Sequence, residues 1–419
     1  MADIAKYTNT AKYTNTTKDT NTSKDTTIKN TVNHTDDIKI LLSENDSRKY
    51  VDQIKTAVMS IADTTESHRF MSDCHPSHGT TFVGWTFKLK DVLKIKPSYI
   101  GPDIGCGILT IKLKNKYNEK KLVKLVNFIK DFFPMGDITS HKTQIVSDEY
   151  INKYVDKSQK LSDNFTEKYN LPKYVQDIYN LCDKLSIPIN RVKNSIGTLG
   201  GGNHFIEIDE DVKTGEQYLT VHSGSRTLGH TILVHYTKLC NNDGYLPEKE
   251  SIDYIYDMIF AQVFAQMNRY AIAETILQNI GENIGTHIGE TIESYHNYID
   301  FENNILRKGA ISAKKDELCI VSLNMKEGIL ICKGLGNTDY NCSCAHGCGR
   351  NESRGDTDKS NSKLKEFTKI MKDVISLDIN KSTLDEAPFA YKESEKITEL
   401  IQNSVTVERK LKSIMNAKG

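Results

Sequence analysis

Five short segments of this chain combine metal-capable or nucleophilic side chains. They are Asp73-Cys-His75, Asp103-Ile-Gly-Cys106-Gly, Gly200-Gly-Gly-Asn-His204, His222-Ser-Gly-Ser-Arg226 and His346-Gly-Cys-Gly-Arg350. Four of them contain glycine, which lets a backbone approach a ligand closely and adopt positive φ. A sixth, Tyr295-His296-Asn297, has the same flavour without glycine. Their spread from Asp73 to Arg350 fits a site assembled from distant loops.

Each segment has a functional and an ordinary reading. Asp103 stands three residues before Cys106. A thiolate there could bridge two metal ions, with carboxylate and imidazole ligands completing an open site for manganese, iron or zinc. The ordinary reading is a small buried cysteine in a tight turn. His204 and His222 sit beside glycines and expected strands, although a lone histidine is more often structural than a ligand. Asn203 could donate to a phosphate. The Ser-Gly-Ser-Arg226 run offers hydroxyls, amides and a forked cation to phosphate oxygens, or is simply a polar turn.

Cys342-x-Cys344-x-His346-x-Cys348 invites a zinc-knuckle reading, but single-residue gaps strain one tetrahedral ion. The alternative makes His346 a nucleophile held between Gly347 and Gly349, with Arg350 and Arg354 for phosphate charge. Imidazole attack on a nucleotide α-phosphorus gives a phosphoramidate labile enough to pass the nucleotide on. Composition decides for neither.

The elements that must position these residues are partly legible. Strand-like stretches are expected at Thr81–Ile95, Ile108–Leu113, Leu318–Leu323 and Gly328–Cys332, and helices at Lys120–Phe133 and Lys173–Leu185. Apolar residues at three- and four-residue spacing predict a long helix from Ser251 to about Ile280. Residues 1–36 form a degenerate hexapeptide repeat of Thr, Asn and Lys, with Lys6, Lys12, Lys18 and Lys24 in register. With almost nothing to bury, this segment is expected to be a disordered tail. No linker divides 37–419, so one mixed α/β (α+β) catalytic domain is expected there.

The chain of 419 residues carries 55 Lys+Arg and 55 Asp+Glu. That balance argues against nonspecific coating of nucleic acid while leaving room for a local basic groove. No run of 18 apolar residues and no signal-peptide core is present, so no membrane association is expected. Nine cysteines, several crowded among histidines, suggest thiols or metal ligands rather than disulfides. The expected compartment is the cytoplasm, with the nucleus left open.

Taken together, the segments resemble the RtcB family of RNA ligases. Matching stretches run in family order from about Met71 to the C-terminus: GPDIGCG, GTLGGGNHFIEI, VHSGSRTLGH, DMIFAQ…NR, YHNYID, RKGAISA, GNTDYNCSCAHGCGR with NESR behind it, and EAPFAYK. The resemblance implies a GTP- and manganese-dependent ligase joining RNA 3′-phosphate or 2′,3′-cyclic phosphate ends to 5′-hydroxyl ends, in RNA splicing or repair. By resemblance, Asp103, Cys106 and His204 hold one of two manganese ions, and Cys106, His222 and His296 the other. His346 becomes guanylylated. Asn203, Glu207, Asn297 and Lys418 fall among the nucleotide-binding residues, and Arg226, Arg350 and Arg354 among those facing phosphate or RNA. Asp73 and His75 would help orient the nucleophile. An activating protein or a helicase is a possible partner, and a monomer is expected.

The chain departs from the family at Cys348, where alanine is usual, at Ala345, and around Asp73 and Asp103 (Ser72, Cys74, Pro102). Cys348 raises the question of oxidation or a competing thiol ligand. Two rival readings are a cyclic phosphodiesterase using the same metals and a non-catalytic RNA- or metal-binding homologue.

Overall fold

The alternation of side chains along strands decides how this molecule is layered. In Phe205–Asp211, Ile206 and Ile208 point to one face and Phe205, Glu207 and Asp209 to the other. The neighbouring Gln217–Ser223 repeats the pattern, with Leu219 and Val221 joining Ile206 and Ile208 in one apolar core. Helices Glu119–Phe132 and Glu248–Asn279 cover that face, contributing Leu122, Leu125 and Ile129 from the first and Ile272, Ile276 and Leu277 from the second. The opposite face is free to carry polar residues.

The computed structural model describes residues 26–28, 38–77, 80–136, 139–287 and 291–419. These strands belong to an eight-stranded sheet. Its main path runs Leu318–Ser322, Ile329–Gly334, Val405–Lys418, Phe205–Asp211, Gln217–Ser223, Gly107–Lys112 and Thr291–Tyr295, all antiparallel, and Ile375–Ser376 joins the C-terminal strand in parallel. A six-stranded sheet follows the order Thr26–Ile28, Ile38–Ile40, Thr65–Pro76, Phe82–Leu89, Ile305–Lys308 and Asn297–Asp300. A two-stranded ribbon pairs Ala310–Ser312 with Ser343–Ala345, and so delivers the chain to His346. Helices and sheets together form the single mixed domain that was expected.

The long helix is observed at Glu248–Asn279, and helix Glu119–Phe132 matches its expectation within a residue at each end. Two expectations need correction. The stretch Lys173–Leu185 is helical only at Ile178–Lys184, because Asp177 caps Tyr179 and Asn180 and the residues before it run extended. The strand expected to reach Ile95 stops at Leu89. The 22-residue helix Asp148–Tyr169 was not foreseen. Its buried stripe includes Ser158, Ser162 and Thr166, so apolar periodicity is weak. Most of the expected disordered tail lies outside the described residues. Within that range the structure describes Thr26–Ile28, which pairs with Ile38–Ile40.

Candidate active site

Register places the functional side chains in rows. His222 lies opposite Phe205 on one side and Ile108 on the other, and Phe205 lies opposite Lys418. Glu207 occupies the next row of the same face, opposite Thr220 and Asn416. The turn 103–106 enters strand Gly107–Lys112 at the end of these rows, so Asp103 and Cys106 meet His204 and His222 there. His296 follows the adjoining strand Thr291–Tyr295, and its backbone N–H donates to the Cys106 carbonyl at 2.9 Å.

Cys106 Sγ stands 3.4 Å from His204 Nε2 and 3.3 Å from His222 Nε2. His204 Nε2 is also 3.0 Å from Asp103 Oδ2, and the Nε2 atoms of His222 and His296 are 3.4 Å apart. Among the described residues, two groups of ligand atoms converge within 4.8 Å: Asp103, Cys106 and His204, and Cys106, His222 and His296. His204 Nδ1–H donates to the Leu199 carbonyl and His222 Nδ1–H to that of Asn203, which turns both Nε2 lone pairs inward. Burial lowers the basicity of His222 and His296, leaving neutral imidazoles. Burial also raises the Cys106 thiol, so a metal entering here would displace its proton. Carboxylate, thiolate and imidazole around one shared sulfur suit a pair of transition-metal ions.

His346 adjoins this cluster, its ring centroid 4.6 Å from that of His296. Asp73 Oδ2 lies 2.6 Å from His346 Nδ1 and accepts the His346 backbone N–H at 3.1 Å. An ionised carboxylate only accepts, so Nδ1 carries the proton and Nε2 presents a lone pair. Gly349 makes this possible. At φ +70° it passes so close to Asp73 that a Cβ would sit 2.2 Å from the Asp73 carbonyl oxygen. His75 donates from Nδ1 to that carbonyl at 2.9 Å, and burial lowers its pKa to about 4.

A cleft opens beside His346. Its walls include His75, Asn203, Phe205, Glu207, Arg350, Arg354, Tyr391 and Lys418. Nη2 of Arg350 is buried and has no hydrogen-bond partner among the described residues, a donor suited to an anion. Lys418 Nζ reaches Glu386 at 2.7 Å and the Asn203 carbonyl at 3.4 Å. Glu207 and Asp209 are both buried, and Asn416 donates to the first and Thr220 to the second. Burial raises both carboxyls, Asp209 to about 7, and the Asp209 charge raises Glu207 further.

Two expected site residues are placed elsewhere. Asn297 does not line the cleft. Its side chain donates to the Asp103 carbonyl and accepts from Gly309 N–H, so it braces the turn that carries Asp103. Arg226 is buried at the start of helix Arg226–Thr237, donating to Thr198 Oγ1 and the Gly136 carbonyl, both at 2.8 Å. These two hydrogen bonds, with Gly200 packed between Arg226 and His204, hold the guanidinium beside the turn that carries His204. The thiols of the apparent zinc knuckle also disperse. Cys344 and Cys348 enter an apolar core, and burial pushes the Cys348 thiol up to about 12. Sequence reasoning missed Glu386, Tyr391 and Asp209. The EAPFAYK stretch holds the first two, but nothing local marks Tyr391 as lining the cleft or Glu386 as standing behind it.

Two groups of potential metal ligands sharing one sulfur, beside an aspartate-held imidazole and a cationic cleft, make an arrangement compatible with metal use. The family follows from comparison. The chain belongs to the RtcB family, whose model, described as tRNA-splicing ligase RtcB, matches residues 53–419. It is 28% identical to the RNA-splicing ligase RtcB of Escherichia coli (strain K12), across 83% of this chain and 89% of that protein. Identity to the tRNA-splicing ligase RtcB of Methanococcus maripaludis is also 28%, over 41% of this chain and 40% of that one. RNA-splicing ligase RtcB homolog 2 of Entamoeba dispar is 28% identical over 41% of this chain and 37% of its own.

Proposed function

We propose that this protein is an RNA ligase that uses GTP and two manganese ions to join RNA 3′-phosphate ends to 5′-hydroxyl ends through a guanylylated His346. The observation that carries this reading is the Asp73–His346 pair, which leaves Nε2 as a nucleophile at the edge of a cationic cleft. A hydrolytic phosphodiesterase has no need of a covalent carrier oriented this way.

His346 Nε2 attacks the α-phosphorus of GTP, the bond to the β-phosphate's bridging oxygen breaks, and pyrophosphate leaves. The Nδ1–H keeps donating to the Asp73 carboxylate, which stabilises the positive charge the ring acquires. An RNA 3′-phosphate oxygen then attacks the same phosphorus and His346 departs with its lone pair restored. The 5′-hydroxyl attacks the activated 3′-phosphorus, loses its proton and expels GMP. A 2′,3′-cyclic phosphate is first opened by water to the 3′-phosphate. Arg350 and Arg354 hold phosphoryl charge, and Lys418 and Glu207 hold the base. Manganese held by Asp103, Cys106 and His204, and by Cys106, His222 and His296, would supply neutralisation of developing phosphoryl charge.

Incubation with α-labelled GTP and manganese tests the reading. Acid-labile label on the denatured protein, lost in His346→Ala, is the expected result. Label that persists in His346→Ala, or a wild-type protein left unlabelled, would rule the reading out.

A further inference from the structure

One buried carboxylate organises the cleft without lining it. Glu386 ends the short 3-10 segment Lys381–Glu386 and is 3% exposed. Its Oε2 accepts from Lys418 Nζ at 2.7 Å and from the Tyr391 hydroxyl at 2.5 Å. Its Oε1 faces Arg350 Nη1 at 3.3 Å and Arg354 Nη1 at 2.5 Å. All four donors line the cleft, and Glu386 stands behind them. Asp385 takes a share of Arg354 alone.

The charges explain why such a residue is needed. Lys418, Arg350 and Arg354 bring three cations to one small space. Like charges in a half-buried setting repel strongly unless an anion sits among them. Each oxygen of Glu386 serves a different end. Oε2 fixes the ammonium beside Phe205 and Glu207, while Oε1 gathers the guanidinium groups beside His346. Lys418 is an ammonium on a flexible stem, so its direction is set by whatever anchors it.

We propose that Glu386 is the positioning residue of the nucleotide cleft, fixing Lys418 as a donor at the base end while tethering Arg350 and Arg354 at the phosphate end, and so sets the preference for a guanine over an adenine base. This rests on the reading of the cleft as a GTP site. Guanine presents a carbonyl oxygen beside an N–H and an amino group. A fixed ammonium donor, Lys418, matches that carbonyl oxygen, and Glu207 lines the same end of the cleft. Adenine presents an amino group where the carbonyl would be and clashes with a fixed ammonium. A lysine released from Glu386 could swing aside and lose that discrimination. The arginines, released from the same carboxylate, would remain available to phosphate.

The test is Glu386→Gln, which keeps the shape and removes the charge, read in the His346 self-labelling reaction. Expected are a rise of about tenfold or more in KM for GTP, a similar fall in GTP-over-ATP preference, and a maximal rate changed less than about threefold. Inorganic tripolyphosphate, which has no base, should compete as well as before or better. Glu386→Asp should recover part of the preference. Should Glu386→Gln fail to fold, Glu386→Asp carries the test, because the shortened carboxylate must raise the KM for GTP and lower base preference by a smaller factor with tripolyphosphate competition intact. An unlabelled wild-type protein defeats the ligase reading and this inference with it. A labelled wild type whose Glu386→Gln form keeps its KM and base preference, or loses GTP and tripolyphosphate affinity alike, overturns the inference alone. So does a Glu386→Asp form that keeps its KM and base preference.

Discussion

Asp73 Oδ2 binds both ends of His346, the ring nitrogen Nδ1 at 2.6 Å and the backbone nitrogen at 3.1 Å. One carboxylate oxygen therefore sets the tautomer of the imidazole and the path of the loop carrying it. In Asp73→Asn the amide has an acceptor oxygen but no charge to stabilise a cationic ring. His346 labelling by GTP should fall by up to about 10⁴-fold, the loss seen when the aspartate behind the histidine of a Ser-His-Asp triad becomes asparagine. Metal content should be unchanged. Equal loss of metal and label would show that Asp73 supports the whole site rather than the nucleophile.

Cys106 is common to both ligand triads, whereas His204 and His296 each belong to one. Cys106→Ser should therefore weaken manganese binding at both triads, if the proposed metal use holds, and His204→Ala or His296→Ala at only one each. Manganese titration followed by electron paramagnetic resonance counts the sites directly. A Cys106→Ser protein that keeps one site at wild-type affinity would contradict a shared ligand.

Gly349 has no room for a side chain, since a Cβ would meet the Asp73 backbone at 2.2 Å, and its φ is +70°. Gly349→Ala must move either the nucleophile loop or the strand Thr65–Pro76. A stability loss of about 1–3 kcal/mol is expected, as for strain at other special backbone positions. Labelling should fall further than that loss of folded protein explains. Denaturant unfolding and labelling of the folded fraction measure the two separately.

Burial pushes the Asp209 carboxyl up to about 7, well above the ordinary carboxylate range. The folded state thus binds more protons than the unfolded state across that interval, and stability declines as pH rises through it. Asp209→Asn keeps the acceptor for Thr220 and removes the titration. Its melting temperature relative to wild type should rise from pH 5 to pH 8. A difference that stays constant over that interval would mean that the Glu207–Asp209 pair holds no raised carboxyl.

Cys348, which the sequence marked as a possible competing ligand, has a buried thiol that burial raises to about 12, and it stands outside both ligand triads. Cys348→Ala should label at a rate within about twofold of wild type, with stability lowered by about 1 kcal/mol for the small void left in the core. A change in manganese stoichiometry would reveal the competing ligand that the sequence suggested.

Much of the site was legible because its chemistry is carried by rare residue types in glycine-rich turns. Asp103, Cys106, His204, His222, His296 and His346 were all recognisable before any fold was known, and the structure gathers them. The long helix Glu248–Asn279 was legible too, since its periodicity extends over many turns. What the linear pattern left undecided were contacts between residues far apart in the chain. Arg226 and Asn297 have side chains as suited to phosphate or nucleotide as to backbone carbonyls, and only packing turned them toward Gly136, Thr198 and Asp103. Glu386 looks like any acidic residue in a polar stretch. It becomes the hub of the cleft because the C-terminal strand pairs with Phe205–Asp211 and brings Lys418 to it across 32 residues of chain. Residue type and local spacing determine which groups are capable of chemistry. Strand register and burial decide which of them face the same space, because those depend on pairings between segments that no local pattern encodes.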